Sequence, residues 1–153
     1  MPRMLAPAPC PCGHPSPYAA CCGRWHDGPL HLLAPDADAL MRSRYCAFVL
    51  ERADYLLATW HPHSRPARLE FEPGLRWLGL VVQQHLRQGE DRATVRFVAR
   101  SKLGGRASRQ TETSRFRREA GAAQRPAAAL LTAFRSRLPT ATTITITSRS
   151  RTS

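Results

Sequence analysis

The spacing of the cysteines constrains this chain more than any other feature. Four of the five lie within thirteen residues, as Cys10-x-Cys12 and, after eight intervening residues, Cys21-Cys22. A thiolate is costly to bury alone, but two cysteine-rich corners joined by a short loop can set four sulfurs around one Zn²⁺ at about 2.3 Å each. Closing such a site folds a segment too short to have its own core. The spacing therefore predicts a zinc knuckle over residues 9–27, with Cys10, Cys12, Cys21 and Cys22 as ligands and His26 in reserve. Four protein ligands leave no position for water, which makes the zinc structural and not catalytic. A redox reading stands beside this one: Cys21-Cys22 as a strained vicinal disulfide, or a low-pKa thiolate acting as nucleophile. Gly13 and Gly23 allow tight turns around sulfur, and Tyr18 is expected to pack over the site. Cys46 stands apart and reads as a small core residue.

Charge bounds the partners loosely. The net charge of +12 is carried almost wholly by arginine, since Lys102 is the only lysine. Such a surface attracts phosphates, acidic proteins or anionic lipid. A basic strand interleaved with aromatics is missing, however, so nucleic-acid binding is expected to be weak and strongly salt-dependent. Residues 1–9 resemble no signal peptide, and no run of some eighteen apolar residues is present to span a membrane. The expectation is a cytoplasmic protein, in which clustered cysteines mean metal or redox chemistry.

Beyond the knuckle, HDGPLHLLAP reads as a linker that lays Leu30, Leu32 or Leu33 on a neighbouring surface. From Asp36 the apolar residues Leu40, Met41, Tyr45, Phe48 and Val49 recur at helical steps, with Asp36 as cap. Tyr55, Leu56, Leu57 and Trp60 make a second helical set, with Asp54 as a possible cap and a corner near residues 51–53. His61-Pro62 closes the run. The period then becomes two. Residues 76–86 are apolar on both faces, which predicts a central strand. Residues 92–100 place Val95, Phe97 and Ala99 on one face, after a hairpin at residues 88–91. A third strand over residues 106–117 is entered through Gly104-Gly105. Helices followed by consecutive antiparallel strands form an α+β layout, with the sheet curling over the helices. Residues 120–153 read as a low-complexity, disordered tail, alanine-rich and weakly helical over residues 121–139, with strand propensity in the ITIT stretch.

These segments carry a family likeness. CPCG, Tyr18, Cys21-Cys22-Gly23 and His26 resemble the SEC-C zinc motif, named from the C-terminal end of the SecA translocase motor. The blocks LMRSRYCAFVL, ADYLLATWHP, RWLGL, VRFVAR and ETSRF resemble the YchJ family of small bacterial proteins, in which that motif precedes a nuclear-transport-factor-2-like domain. The likeness spans about residues 9–119. It implies a cone-shaped α+β domain over residues 36–119 with a pocket between helices and sheet, and it implies no particular activity. Two departures stand out. His14-Pro15 replace the usual Ser-Gly, and Pro15 has no N–H to offer a thiolate. The family's aromatic-rich final strand is missing after SRFRRE, where alanine- and arginine-rich sequence begins as a reading-frame change would produce. The sheet is therefore expected to lack its last strand.

The family-like blocks supply a second candidate site, a pocket lined by Arg42, Arg44, Tyr45, Trp60, His61, Glu112 and Ser114, with His63 nearby. Each has a structural reading as well: Glu112 can pair with Arg42 or Arg44, and Trp60 can close the core. No Ser/His/Asp arrangement or register of paired carboxylates marks a catalytic site. The chain is thus expected to be a zinc-binding adaptor that presents its knuckle to a protein partner, near the ribosome, a chaperone or the secretion machinery by analogy with the translocase motif. The alternative is a small-molecule-binding or hydrolytic pocket in the cone.

Overall fold

A computed structural model describes residues 7–62, 65–89, 92–119 and 130–134. The cysteine-rich segment comes first along the chain, with a bridge between Pro9 and Pro17, a 3-10 turn at Tyr18–Ala20 and the one-turn helix α1, Gly23–His26. Helices α2, Ala37–Val49, and α3, Ala53–Ala58, follow. Strands β1, Arg76–Arg87, β2, Arg92–Leu103, β3, Arg106–Glu119, and β4, Leu130–Phe134, form one antiparallel sheet in sequential order.

Local chemistry explains most of these boundaries. Asp36 is extended, and its Oδ1 accepts from the Ala39 N–H at 2.8 Å, satisfying one of the donors left open at the start of α2. Glu51 takes a left-handed conformation, φ 55°, at the corner between α2 and α3. Asp54 lies inside the first turn of α3, and Arg52 occupies the cap position without capping through its side chain. The expected cap at Asp54 is therefore displaced by two residues, because the corner is completed earlier in the chain. Gly104 and Gly105 both have positive φ, the requirement of the two-residue turn that joins β2 to β3 between Leu103 and Arg106.

The core lies between α2, α3 and one face of the sheet. Val95, Phe97 and Ala99 of β2 are buried as their alternation predicts, and Phe116 of β3 joins them. From the helices come Leu40, Met41, Tyr45, Phe48, Tyr55 and Leu56. Burying each large apolar side chain contributes roughly 1.5–3 kcal/mol. Trp77 of β1 receives Tyr45 edge-on, with ring centroids 5.7 Å apart, and Phe48 at 5.8 Å.

Two features of the sheet differ from the sequence expectation. Strand β1 lies at the edge and not in the centre, with Leu78, Val81 and Leu86 exposed. Its register with β2 shifts between Trp77 and Gly79 and again between Val82 and Gln84. Each shift moves the alternation to the other face, so Trp77 and Leu80 point the same way while Leu78 is turned out. Apolarity on both faces therefore reflects a strand that changes phase, not one covered on both sides. Secondly, the sheet has a fourth strand inside the stretch read as tail. Strand β4 pairs with β3 from Arg115↔Phe134 to Glu119↔Leu130. The backbone edge of β3 otherwise has unpaired N–H and C=O groups, and the run LLTAF has the composition to fill it. The rest of the expected tail, including ITIT at residues 144–147, lies outside the described residues.

If Asp36 starts α2, Asp36→Ala should lower stability by about 1 kcal/mol, and Asp36→Asn should recover most of that loss. Urea denaturation of the two variants measures this, and equal loss in both would remove Asp36 from the capping role.

Candidate metal centre

The knuckle turns on short local bonds. The Cys10 N–H donates to the Ser16 carbonyl at 2.8 Å, and the Gly13 N–H to the Cys10 carbonyl at 3.1 Å, with Gly13 at φ 98°. These bonds bend Cys10 and Cys12 toward a common side. Gly23 is needed because the chain closes tightly there: a Cβ at this position would sit 2.8 Å from the Tyr18 carbonyl oxygen.

Helix α2 faces this corner with residues one turn apart. Arg42 donates through Nη1 to the Cys12 carbonyl at 3.0 Å, and Cys46 brings its Sγ to 3.5 Å from the Cys10 Sγ. Positions four residues apart share a helix face, so one face of α2 holds both the backbone and the sulfur of the knuckle. The sulfurs of Cys10, Cys12, Cys22 and Cys46 all lie within 4.8 Å of one another, and all four residues are buried. Sulfurs at the corners of a tetrahedron with bonds of about 2.3 Å are separated by about 3.8 Å. The cluster is thus the size of a tetrathiolate site and can hold a metal ion.

This quartet exchanges one expected member. The Cys21 Sγ lies 3.7 Å from the Cys12 Sγ but outside the set of mutually close sulfurs, and Cys46 takes the place assigned to it. Cys21 closes the 3-10 turn at φ −127°, ψ −113°, whereas Cys22 already has helical angles at the start of α1. Adjacent side chains on such a bend diverge, so Cys21 reaches the edge of the cluster at Cys12 while Cys22 joins the mutually close set. The thiols also differ electrostatically. Hydrogen bonds from Cys22 and Cys46 pull the Cys12 pKa far below its ordinary value, aided by the His14 N–H. Cys22 and Cys46, sharing their protons with Cys12, are pushed up. Burial, with its hydrogen bond to Cys12, pushes Cys21 up to about 11 as well.

His26, the reserve ligand, is otherwise engaged. Its Nε2 lies 2.7 Å from the Ser43 carbonyl of α2, which can only accept, so Nε2 carries the proton and Nδ1 accepts from the Tyr18 hydroxyl. The ring also packs on Tyr55, with centroids 4.5 Å apart, and burial lowers its pKa. His26 therefore ties the knuckle to α2 as a neutral bridge, and Tyr18 packs against its ring, with centroids 5.5 Å apart, and against the buried cluster that holds the cysteines.

The pocket residues separate into distinct environments. Arg42 pairs with Asp38 across one helical turn at 3.1 Å. Tyr45 is buried against Trp77, which pushes its hydroxyl up to about 12. Arg44, Trp60, His61 and Ser114 are buried, while Glu112 is half-buried on β3 opposite Phe97 of β2. His63 lies outside the described residues. Arg44 and Trp60 are brought together, with the guanidinium carbon 5.0 Å from the ring centre.

A cysteine knuckle packed against helices on an antiparallel sheet defines a SEC-C-type protein with a nuclear-transport-factor-2-like domain. The profile described as YchJ, middle NTF2-like domain matches residues 36–123. A UPF0225 protein of Methylibium petroleiphilum is 62% identical over 117 residues, covering 76% of this chain and 84% of that protein. A UPF0225 protein of Bordetella parapertussis is 56% identical over 115 residues, covering 74% and 86%. Among solved structures, SEC-C motif containing proteins align from Psychrobacter arcticus (TM-score 0.63, 26% identity, 82% and 78% of the two chains) and Rhodopseudomonas palustris (TM-score 0.63, 29% identity, 81% and 94%). The chain belongs to the bacterial YchJ (UPF0225) family.

With both ring nitrogens of His26 occupied, His26→Leu should leave metal content unchanged while lowering stability by about 1–3 kcal/mol, through the unpaired Tyr18 hydroxyl and Ser43 carbonyl. Elemental analysis alongside chemical denaturation checks both, and loss of metal would return His26 to the ligand set.

Proposed function

We propose that this protein binds one structural Zn²⁺ through Cys10, Cys12, Cys22 and Cys46, and acts as an adaptor that presents its knuckle to a protein partner. The carrying observation is the convergence of four buried sulfurs within 4.8 Å of one another from two separate parts of the chain. Four thiolates and no oxygen ligand suit zinc, and the closed set leaves no coordination position for a reacting water. Zinc held in this way joins the knuckle to α2, because Cys46 belongs to the helix-on-sheet domain and the other three belong to the knuckle.

The adaptor reading rests on what the knuckle shows to solvent. His14, Pro15, Ser16, Ala19, Ala20 and Arg24 are exposed around the buried sulfurs, forming a small surface whose shape depends on the metal. The translocase SEC-C motif suggests the ribosome, a chaperone or the secretion machinery as the setting, by analogy of the motif alone. A cytoplasmic location fits a thiolate site that needs reduced cysteines. No helix among the described residues is long and apolar enough to cross a membrane.

Purified protein should contain one zinc per chain, and Cys22→Ser or Cys46→Ser should lower its zinc affinity by at least an order of magnitude. Cys21→Ser should keep the metal. Metal titration against a chromogenic chelator measures all three; full affinity in Cys46→Ser together with loss in Cys21→Ser would restore the adjacent-cysteine pair as ligands. For the adaptor role, a partner captured by the wild-type chain should be lost with Cys22→Ser and kept with Cys21→Ser. Binding that is indifferent to zinc would defeat that reading.

A further inference from the structure

Arg44 projects from α2 into the interior with none of its surface exposed. Its Nη1 donates to the Leu56 carbonyl at 3.0 Å and to the Thr59 Oγ1 at 2.7 Å, both on the α3 side. Its Nε and Nη2 are equally buried and have no hydrogen-bond partner among the described residues. These two atoms form one edge of the guanidinium, where parallel N–H bonds match the two oxygens of a carboxylate. The edge best suited to a bidentate anion is thus the one left open.

Among the described residues no hydrogen-bonded counter-charge meets that edge. A guanidinium stays protonated at neutral pH even when buried, and burial lowers this one only to about 10. An uncompensated buried charge costs several kcal/mol. Four of the acids on and around α2 and α3 have other work: Asp38 pairs with Arg42, Asp27 and Asp54 with Arg52, and Asp36 caps α2. Besides burial, Tyr55 is the one group that acts on the Arg44 charge. The sequence from residue 120 to Ser153 contains no Asp or Glu.

A second open donor lies beside the first. Trp60 is stacked on the guanidinium, and its Nε1–H is buried and unpartnered among the described residues. The Ser114 Oγ is another such group, on the inner face of β3 beside buried Val95 of β2. Buried indole and guanidinium donors normally find acceptors. For Arg44 and Trp60, whose guanidinium carbon and ring centre are 5.0 Å apart, the missing acceptors and the missing negative charge belong to one neighbourhood. A water molecule would supply an acceptor without the charge, whereas a small anion supplies both.

We propose that Arg44 and Trp60 form an internal binding site for a small carboxylate, gripped bidentately by the Nε/Nη2 edge of Arg44 and further bonded by the indole N–H of Trp60. The site lies within the helix-on-sheet domain and is distinct from the thiol cluster. It makes that domain a receptor for an acid metabolite or an acidic side chain small enough to enter.

The test uses the full, zinc-loaded chain with propionate, inorganic phosphate and chloride at equal ionic strength. Propionate should raise the thermal midpoint progressively and saturably, and native mass spectrometry should show one bound carboxylate per chain. Arg44→Met should abolish the response while raising the midpoint of the ligand-free protein, since the unpaired charge is gone. Trp60→Phe keeps the stacked ring but removes the N–H, and should weaken propionate about tenfold; it carries the test if Arg44→Met fails to fold. A response to phosphate without one to propionate overturns the carboxylate assignment. Equal responses to propionate and chloride, or a propionate response that survives Trp60→Phe and Arg44→Met unchanged, overturn the site.

Discussion

Thiols cannot be gathered at 3.5 Å from one another in a buried corner without a proton or a cation between them, and this requirement governs the N-terminal part of the molecule. Residues 9–27 offer one four-residue helix, a 3-10 turn and a single bridge, too little secondary structure to define a core. What gives the segment a fixed shape is the convergence of its sulfurs, together with a few bonds to α2. A divalent ion among four thiolates neutralises half of their charge and turns mutual repulsion into a cross-link. Because one of the four sulfurs comes from α2, the cross-link joins two parts of the chain instead of closing a loop within one.

Helix α2 is consequently a hub of the fold, touching α1, α3, β1, β2 and β4. Its Leu40, Met41, Tyr45 and Phe48 face the core. Arg42, Ser43 and Cys46 receive the knuckle through a carbonyl, a histidine and a sulfur. Arg44 reaches the end of α3. A helix enclosed in this way must bury polar groups, and most of them are matched: Ser43 bonds both Leu40 and Tyr55, and His26 accepts and donates with neutral partners. Arg44 is the exception, a cation fixed by two acceptors on one nitrogen and open along its other edge. The contrast between a satisfied knuckle interface and an unsatisfied interior gives the two sites different characters. The first gathers four sulfurs that can hold a metal ion; the second leaves buried donors without acceptors among the described residues.

The legible parts of the fold were those written in short-range patterns. Alternation placed Val95, Phe97 and Ala99 on one buried face, the glycine pair placed the β2–β3 turn, and Asp36 marked the start of α2. Strand β1 misled because a bulge at Leu78 changes its phase, and a run apolar on both faces reads the same whether covered twice or twisted once. Strand β4 was invisible because its pairing depends on the free edge of β3, which residues 130–134 do not reveal by themselves. Cys46 carried one available signal: it was the odd cysteine, and it stood four residues after Arg42 on the helix that follows the knuckle.

Sequence alone determined that this chain has a clustered thiol site and a helices-then-strands domain, because cysteine spacing and apolar periodicity act over a few residues and survive without knowledge of the rest. It also determined the pool from which the second site is drawn, naming Arg44, Trp60 and Ser114 together. Tertiary structure decided which sulfurs meet and which donors are left open. Spacing cannot separate Cys21 from Cys22, since the choice depends on how the chain bends between them and on which side chain α2 offers from 24 residues beyond Cys22. Nor can composition show that Arg44 is buried with one edge unpartnered among the described residues. That depends on where every acidic side chain ends up, a property of the packed molecule and not of any stretch of its sequence.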